Sequence, residues 1–276
     1  MRAKILIPLL FAGALAAALI TGAFGGSSSP APALGNLQNA ADATAHSTGV
    51  HVALAITATG GPVQVSATGG GEMDPATQEA DLAMQINASG ALGQQTSIAE
   101  RITGGSLYIQ SPQLSEQLGE GRRWMSIDLK ALSQAVGVSP TSANYGVNPN
   151  EYLDYLRADG AQVSSRGTQT LRGEGVTWYT GTLNLIHAVE VRGGPDGAKA
   201  AEKLSSQLRN PTAAPVEAWV DSQGRVRKLA LSLETTSGER MSIASEYFDF
   251  GPIKPVIAPA PGEVFDLTSL LLAHLP

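Results

Sequence analysis

The chain has 276 residues, enough for one large β-rich domain or two small ones, and with only 5% aromatic residues its core has to be aliphatic. Lys and Arg number 18 against 24 Asp and Glu, and no Lys or Arg lies between Lys4 and Arg101. That argues against a nucleic-acid partner, which needs a basic face, and against adhesion to anionic lipid by charge alone. The absence of cysteine excludes disulfides, Cys-ligated zinc, thiol catalysis and lipid attachment through cysteine.

Met1 to Ala23 reads as an export signal. Arg2 and Lys4 form its basic end, Ile5 to Ile20 its apolar run, and Thr21-Gly22-Ala23 offers small residues for cleavage. The apolar run is short for a membrane span, and an uncleaved anchor is the alternative. Loss of Arg2 and Lys4 moves the formal charge from −6 to −8. Residues 24 to 33 are a flexible linker rich in Gly, Ser and Pro. One domain is expected over residues 34 to 276.

Leu34 to Ser47 is Ala-rich, with Leu34, Leu37, Ala41 and Ala45 at helical spacing. Strands follow. Val50, Val52, Leu54 and Ile56 alternate with His51, Ala53, Ala55 and Thr57, a period of two. Gly60-Gly61-Pro62 turns the chain, Val63 and Val65 continue, and Gly69-Gly70-Gly71 with Asp74-Pro75 reads as a break. Leu82, Met84 and Ile86 form the next apolar face, and Ile98 to Ile102 and Leu107 to Ile109 flank a turn at Gly104-Gly105. Gln113 to Leu118 reads as a short helix, Trp124 to Asp128 as a strand, and Leu129 to Ala135 as helical turns. Pro149 to Ala158 reads as a helix, Gln162 to Leu171 and Val176 to Leu185 as strands, and Asp196 to Leu208 as a helix with Ala200, Leu204 and Leu208 on one stripe. Ala214 to Glu234 is a hairpin around Asp221-Ser222-Gln223-Gly224, where Gly224 can take positive φ. Met241 to Phe250 is another strand, Pro252 to Pro261 an extended exit, and Leu267, Leu270, Leu271 and Leu275 a small C-terminal helix.

The chain carries no recognisable catalytic pattern. His46, His51, His187 and His274 are scattered and lack ligand spacing, so no metal site is expected. No Gly-x-Ser-x-Gly elbow or Ser-x-x-Lys precedes a helix, and the glycine clusters lack the lysine of a phosphate loop. Trp124, Trp178 and Trp219 are candidates to line a pocket, with ordinary packing as the plainer reading. What remains is an aliphatic face: Val52, Leu54, Ile56, Val63, Val65, Leu82, Met84, Ile86, Leu107, Ile109, Leu229, Leu231, Leu233, Met241 and Ile243. It is either a plain core under helices or the wall of a cavity, since a wide sheet that curls needs filling by helices or by a ligand.

Several stretches resemble a family. Trp124 to Leu129, Glu151 to Arg157, and Gly167 to Gly173 with Tyr179 to Leu183 look like passages of actinobacterial envelope lipoproteins of the LppX/LprAFG type. So do Pro215 to Asp221 with Gly224-Arg225-Val226, and Tyr247 to Gly251. Ile20 to Ser29 resembles a bacterial lipoprotein signal and its spacer, with Phe24 where the lipid-bearing Cys would stand. The resemblance implies an α+β, LolA-like fold: a large curved antiparallel sheet, or half-barrel, with a few helices over its concave face. It also implies an apolar cavity for the acyl chains of a lipid or lipidated molecule. The missing Cys departs from the family and puts the usual anchor in doubt.

These readings converge on an exported protein without catalysis or cofactor that binds or carries lipid in the cell envelope or outside it. A membrane or envelope protein would be the acceptor. The rival readings are an envelope interaction or sensory module whose sheet binds a protein, and a hydrolase with an unrecognised site.

Overall fold

The computed structural model describes residues 32–89, 95–119, 121–131, 162–192 and 194–273. The expected export signal and most of the linker lie outside these residues, as do the helix expected at Pro149 to Ala158, most of the turns after Leu129, and Leu275.

In chain order the elements begin with α1 (Pro32–Ala45), β1 (Val50–Thr59), β2 (Val65–Asp74), β3 (Glu79–Ala88), β4 (Gln95–Thr103) and β5 (Ser106–Gln110). Next come α2 (Pro112–Leu118), β6 (Trp124–Asp128), β7 (Gln162–Leu171), β8 (Glu174–Leu183), α3 (Leu185–Arg192) and α4 (Gly194–Gln207). The chain then forms β9 (Ala214–Asp221), β10 (Val226–Glu234), β11 (Arg240–Phe248), a 3₁₀ turn at Pro261–Glu263, β12 (Val264–Asp266) and α5 (Thr268–Leu272). All twelve strands join one sheet, in the order β12-β6-β5-β4-β3-β2-β1-β11-β10-β9-β8-β7. Every pairing is antiparallel except β12 with β6, so the fold is α+β with hairpin connections dominating.

Alternation gives the sheet two unlike faces. The ladder sets Leu54 of β1 level with Ser245 and Leu229 on one side and with Gly69 and Met84 on the other. Those positions form the inner, core-bearing face. The outer face carries Glu72, His51 and Phe248 in one row and Glu246, Lys228, Trp219 and Trp178 in the next. Helix α1 lies against β7, β9 and β10, α2 against β4 and β6, and α5 against β6. Leu37 and Ala41 of α1 are fully buried, as the helical stripe predicts, and Ala40 is buried beside them.

The structure corrects the sequence reading in five places. Gly69-Gly70-Gly71 is the middle of β2, not a break. A Cβ on Gly70 would lie 2.1 Å from the Val52 carbonyl oxygen, and one on Gly71 2.0 Å from that of Asp81, so the neighbouring strands approach too closely for any side chain. Val63 falls in the β1–β2 connection rather than in a strand. Leu185 starts helix α3 instead of ending β8, and the Asn184 side chain caps it by accepting from the His187 amide. Val264 to Asp266, which lie beyond the expected extended exit and carry no expected element, add an edge strand. Leu270 of α5 is exposed, so the buried side of that helix is carried by Leu271 and Leu272, next to buried Leu267.

Candidate functional site: an apolar inner face that loosens at one end

Fourteen of the fifteen aliphatic candidates lie on strands, and the ladder places these on the inner face in level rows. Val52, Leu54, Leu82, Met84, Leu107, Leu229, Leu231 and Ile243 are buried. Ile56, Ile86, Ile109, Leu233 and Met241 are partly buried and pack against them. Val65 is partly buried as well, and so is Val63 on its connection. None of the three tryptophans shares the inner face. Trp124 is buried beneath the Arg101 guanidinium, 4.9 Å away. Trp178 and Trp219 stack on the outer face at 6.3 Å, and their indole N–H groups donate to Glu217 and Gln169.

The exposure of this face is graded along the strands. Val50, Met73 and Ala80 form one buried row, and Val52, Leu82 and Tyr247 the next, with no side chain in either more than 4% exposed. Toward the other end, Ile56, Val65, Ile86, Leu233 and Met241 all become partly exposed, on five adjacent strands. A cleft of about 380 Å³ lies at this end of the sheet, where Leu233 and Met241 meet Leu208 and Asn210, but most of its wall, Thr57, Thr59, Ser232, Arg240 and Ser242 among it, comes from outer-face positions.

The closed end is built by local chemistry. Thr44, fully buried at the end of α1, donates to the Ala40 carbonyl and accepts from the Val226 amide, which latches α1 to the first residue of β10. Asp221 closes the adjoining turn by accepting from the Gln223 and Arg225 amides and from the Arg225 side chain. Arg227, only 5% exposed, lies 2.7 Å from Glu174 and 3.4 Å from Asp221, and Phe250 covers Arg225 and Arg227. Gly251 donates to the Gly49 carbonyl, fixing the start of the Pro-rich segment at this end.

Two polar groups stand inside the apolar face. Glu100, 8% exposed, sits level with Leu82 and Ile109. The Ser245 hydroxyl is fully buried between Leu54 and Leu229 and makes no hydrogen bond among the described residues. Neither side chain is aliphatic, so an apolar pattern alone does not select them. The alternation of Ile98, Glu100 and Ile102 was the signal that places Glu100 inside.

On the outer face, Glu246 accepts from Lys228 and Arg172 at 3.0 Å each. Partial burial pushes its carboxyl up, but the hydrogen bonds and charges of Lys228 and Arg172 outweigh that and hold it below the usual carboxylate range. Among the described residues no cluster of His, Asp and Glu could hold a metal ion, and no helix is long and apolar enough to cross a membrane.

No family model matches the chain, and no curated protein matches it. Among solved structures it is similar to the lipoprotein LppX of Mycobacterium tuberculosis, with 16% identity and a TM-score of 0.47 over 83% of this chain and 100% of that one. It is similar to LprF of Mycobacterium bovis at 12% identity and the same TM-score, over 84% of this chain and 100% of that one. A putative outer-membrane lipoprotein-sorting domain of Vibrio parahaemolyticus follows, with 8% identity and a TM-score of 0.27. The resemblance to LppX/LprF-type lipoproteins seen in the sequence is thus met again among structures.

Proposed function

We propose that this protein is an exported, non-enzymatic carrier that binds the acyl chains of a lipid or lipidated molecule against the inner face of its sheet. The observation that carries this reading is the graded burial: five adjacent strands present partly exposed aliphatic side chains at one end and sealed ones at the other. These side chains fall in two neighbouring rows of the ladder, Ile56 with Ile86, and Val65 with Met241 and Leu233. Each methylene buried on such a face contributes about 0.8 kcal/mol, so a chain of ten methylenes gains about 8 kcal/mol before the costs of ordering it. The cleft at this end is walled mostly from the outer-face side and, at about 380 Å³, is smaller than the roughly 1,000 Å³ that a large lipid fills. A bound lipid therefore has to part the partly buried side chains behind the rim.

The protein acts outside the cytoplasm in this reading, secreted or held by an uncleaved signal, and hands its cargo to a membrane or envelope-protein acceptor. Residues 34 to 276 act as one lipid-binding domain. Native mass spectrometry of the protein from its own host tests the proposal. A stoichiometric lipid adduct supports it. Lipid-free protein that also takes up no acyl probe contradicts it.

A further inference from the structure

The two edges of the sheet are treated differently. At one edge β12 is three residues long, runs parallel to β6, and is reached through the Pro-rich segment that Arg101 and Thr103 hold by the carbonyls of Ile257 and Val256. Short edges flanked by proline resist further pairing. At the other edge β7 is ten residues long, and among the described residues it pairs only with β8. Ser164 to Thr170 are all exposed. The strand contains no Lys and no Pro, the residues that usually guard an edge, and its one charge is Arg166. Half of its backbone N–H and C=O groups face away from β8, as in any edge strand.

A bulge between Ser165 and Gly167 divides β7 and leaves Gly167 to Leu171 as a regular five-residue stretch. Its side chains are self-complementary. About a two-fold axis through Gln169, an antiparallel copy sets Gln169 opposite Gln169, Thr168 opposite Thr170, and Gly167 opposite Leu171. Hydroxyl groups both donate and accept, and the Gln169 oxygen, which accepts from the Trp219 indole of its own chain, keeps a second lone pair beside two N–H donors, so like faces like without repulsion. A strand built to take a charged partner would carry charge of one sign, and one built for an apolar partner would carry an apolar row; β7 carries neither. The pairing stops short of Arg166 and Arg172, which are held by Thr180 and Glu246.

We infer that β7 pairs edge to edge and antiparallel with β7 of a second copy of this chain over Gly167 to Leu171, joining two sheets into one. This inference does not depend on the lipid reading. The absence of cysteine makes it directly testable, because a single introduced thiol reports on its own twin. Opposed residues of an antiparallel pair have Cα atoms about 4.5–5.5 Å apart, within the span of a disulfide. The full chain carrying Gln169→Cys is oxidised with copper phenanthroline in the membranes and medium of expressing cells. The exposed controls are Asn87→Cys and Ala55→Cys. Gln169→Cys should give at least tenfold more disulfide dimer than either control, and adding Thr168→Lys should return it to the control level. Equal yields at all three positions, low or high, would overturn the pairing, as would a Gln169→Cys dimer that Thr168→Lys leaves intact.

Discussion

The two ends of the inner face are made of the same kind of side chain and differ in what surrounds them. At the closed end, Val50, Val52, Leu54, Tyr247 and Leu229 are all buried, α1 is latched to β10 through Thr44, and Asp221 pins the β9–β10 turn. At the open end, Ile56 is only partly buried, and Leu233 and Met241 border a cleft lined also by Thr57, Asn210, Glu234 and Arg240. The difference teaches that periodicity assigns a residue to a face, while the ends of the strands decide whether that face is sealed. Stability should therefore reside at the closed end and ligand response at the open one.

The sharpest way to break this comparison is a matched pair of truncations. Leu54→Ala removes side-chain volume from a sealed site and should cost about 2–5 kcal/mol of unfolding free energy. Leu233→Ala, at the partly exposed rim, should cost about 1 kcal/mol while weakening retention of an acyl probe more than Leu54→Ala does. Urea unfolding and probe titration on both variants measure this. Equal losses of stability would erase the distinction between the ends.

Gly49→Val attacks the closed end through the backbone. Even its Cβ would stand 2.3 Å from the Gly251 carbonyl oxygen and 2.8 Å from the Ile253 side chain. The expected cost is about 1–3 kcal/mol, with faster hydrogen exchange at the Gly251 amide. Thr44→Val keeps the shape and removes the acceptor of the Val226 amide. Leaving that buried donor unpaired should cost about 1–3 kcal/mol, and Thr44→Ser should recover most of it.

The smallest effect belongs to the outer face. The native Glu246 carboxyl titrates below its ordinary value of 4.5. A depressed carboxylate adds stability that is complete above the unfolded pKa and is lost as pH falls through the folded one. Glu246→Gln should therefore lower the melting temperature slightly near neutral pH, and that deficit should shrink as the pH is taken below about 4.5. A deficit that grows on acidification would reverse the sign of this assignment.

Much of this was legible because one rule operates over most of the chain. The hairpin from Ala214 to Glu234 forms as its alternation demands, and Gly224 takes φ of +73° in its turn. Trp124 to Asp128 is a strand with the expected ends. The misses share a physical cause, namely that tertiary geometry overrode local preference. Three consecutive glycines weaken an isolated strand, yet here they are the residues that let β2 approach its neighbours so closely. Leu185 fits the end of the strand pattern that runs from Val176, but it buries with Ala188 and Val189 at helical spacing. Strand β12 has three residues, too few for a period, and exists because β6 offers it an edge. Which end of the inner face is open lay beyond any pattern, because it depends on where α1, α4 and the Pro-rich segment come to rest.

The most direct test is uptake of a fluorescent long-chain acyl probe by delipidated protein, with the rim plugged and the outer face altered in parallel. Met241→Trp fills the rim, and Ala55→Trp adds the same bulk to the exposed outer face of β1. If acyl chains enter at the open end, Met241→Trp should weaken uptake at least tenfold, while Ala55→Trp should match the wild type. Wild-type protein that takes up no probe, or uptake that the rim plug leaves unchanged, would contradict the account.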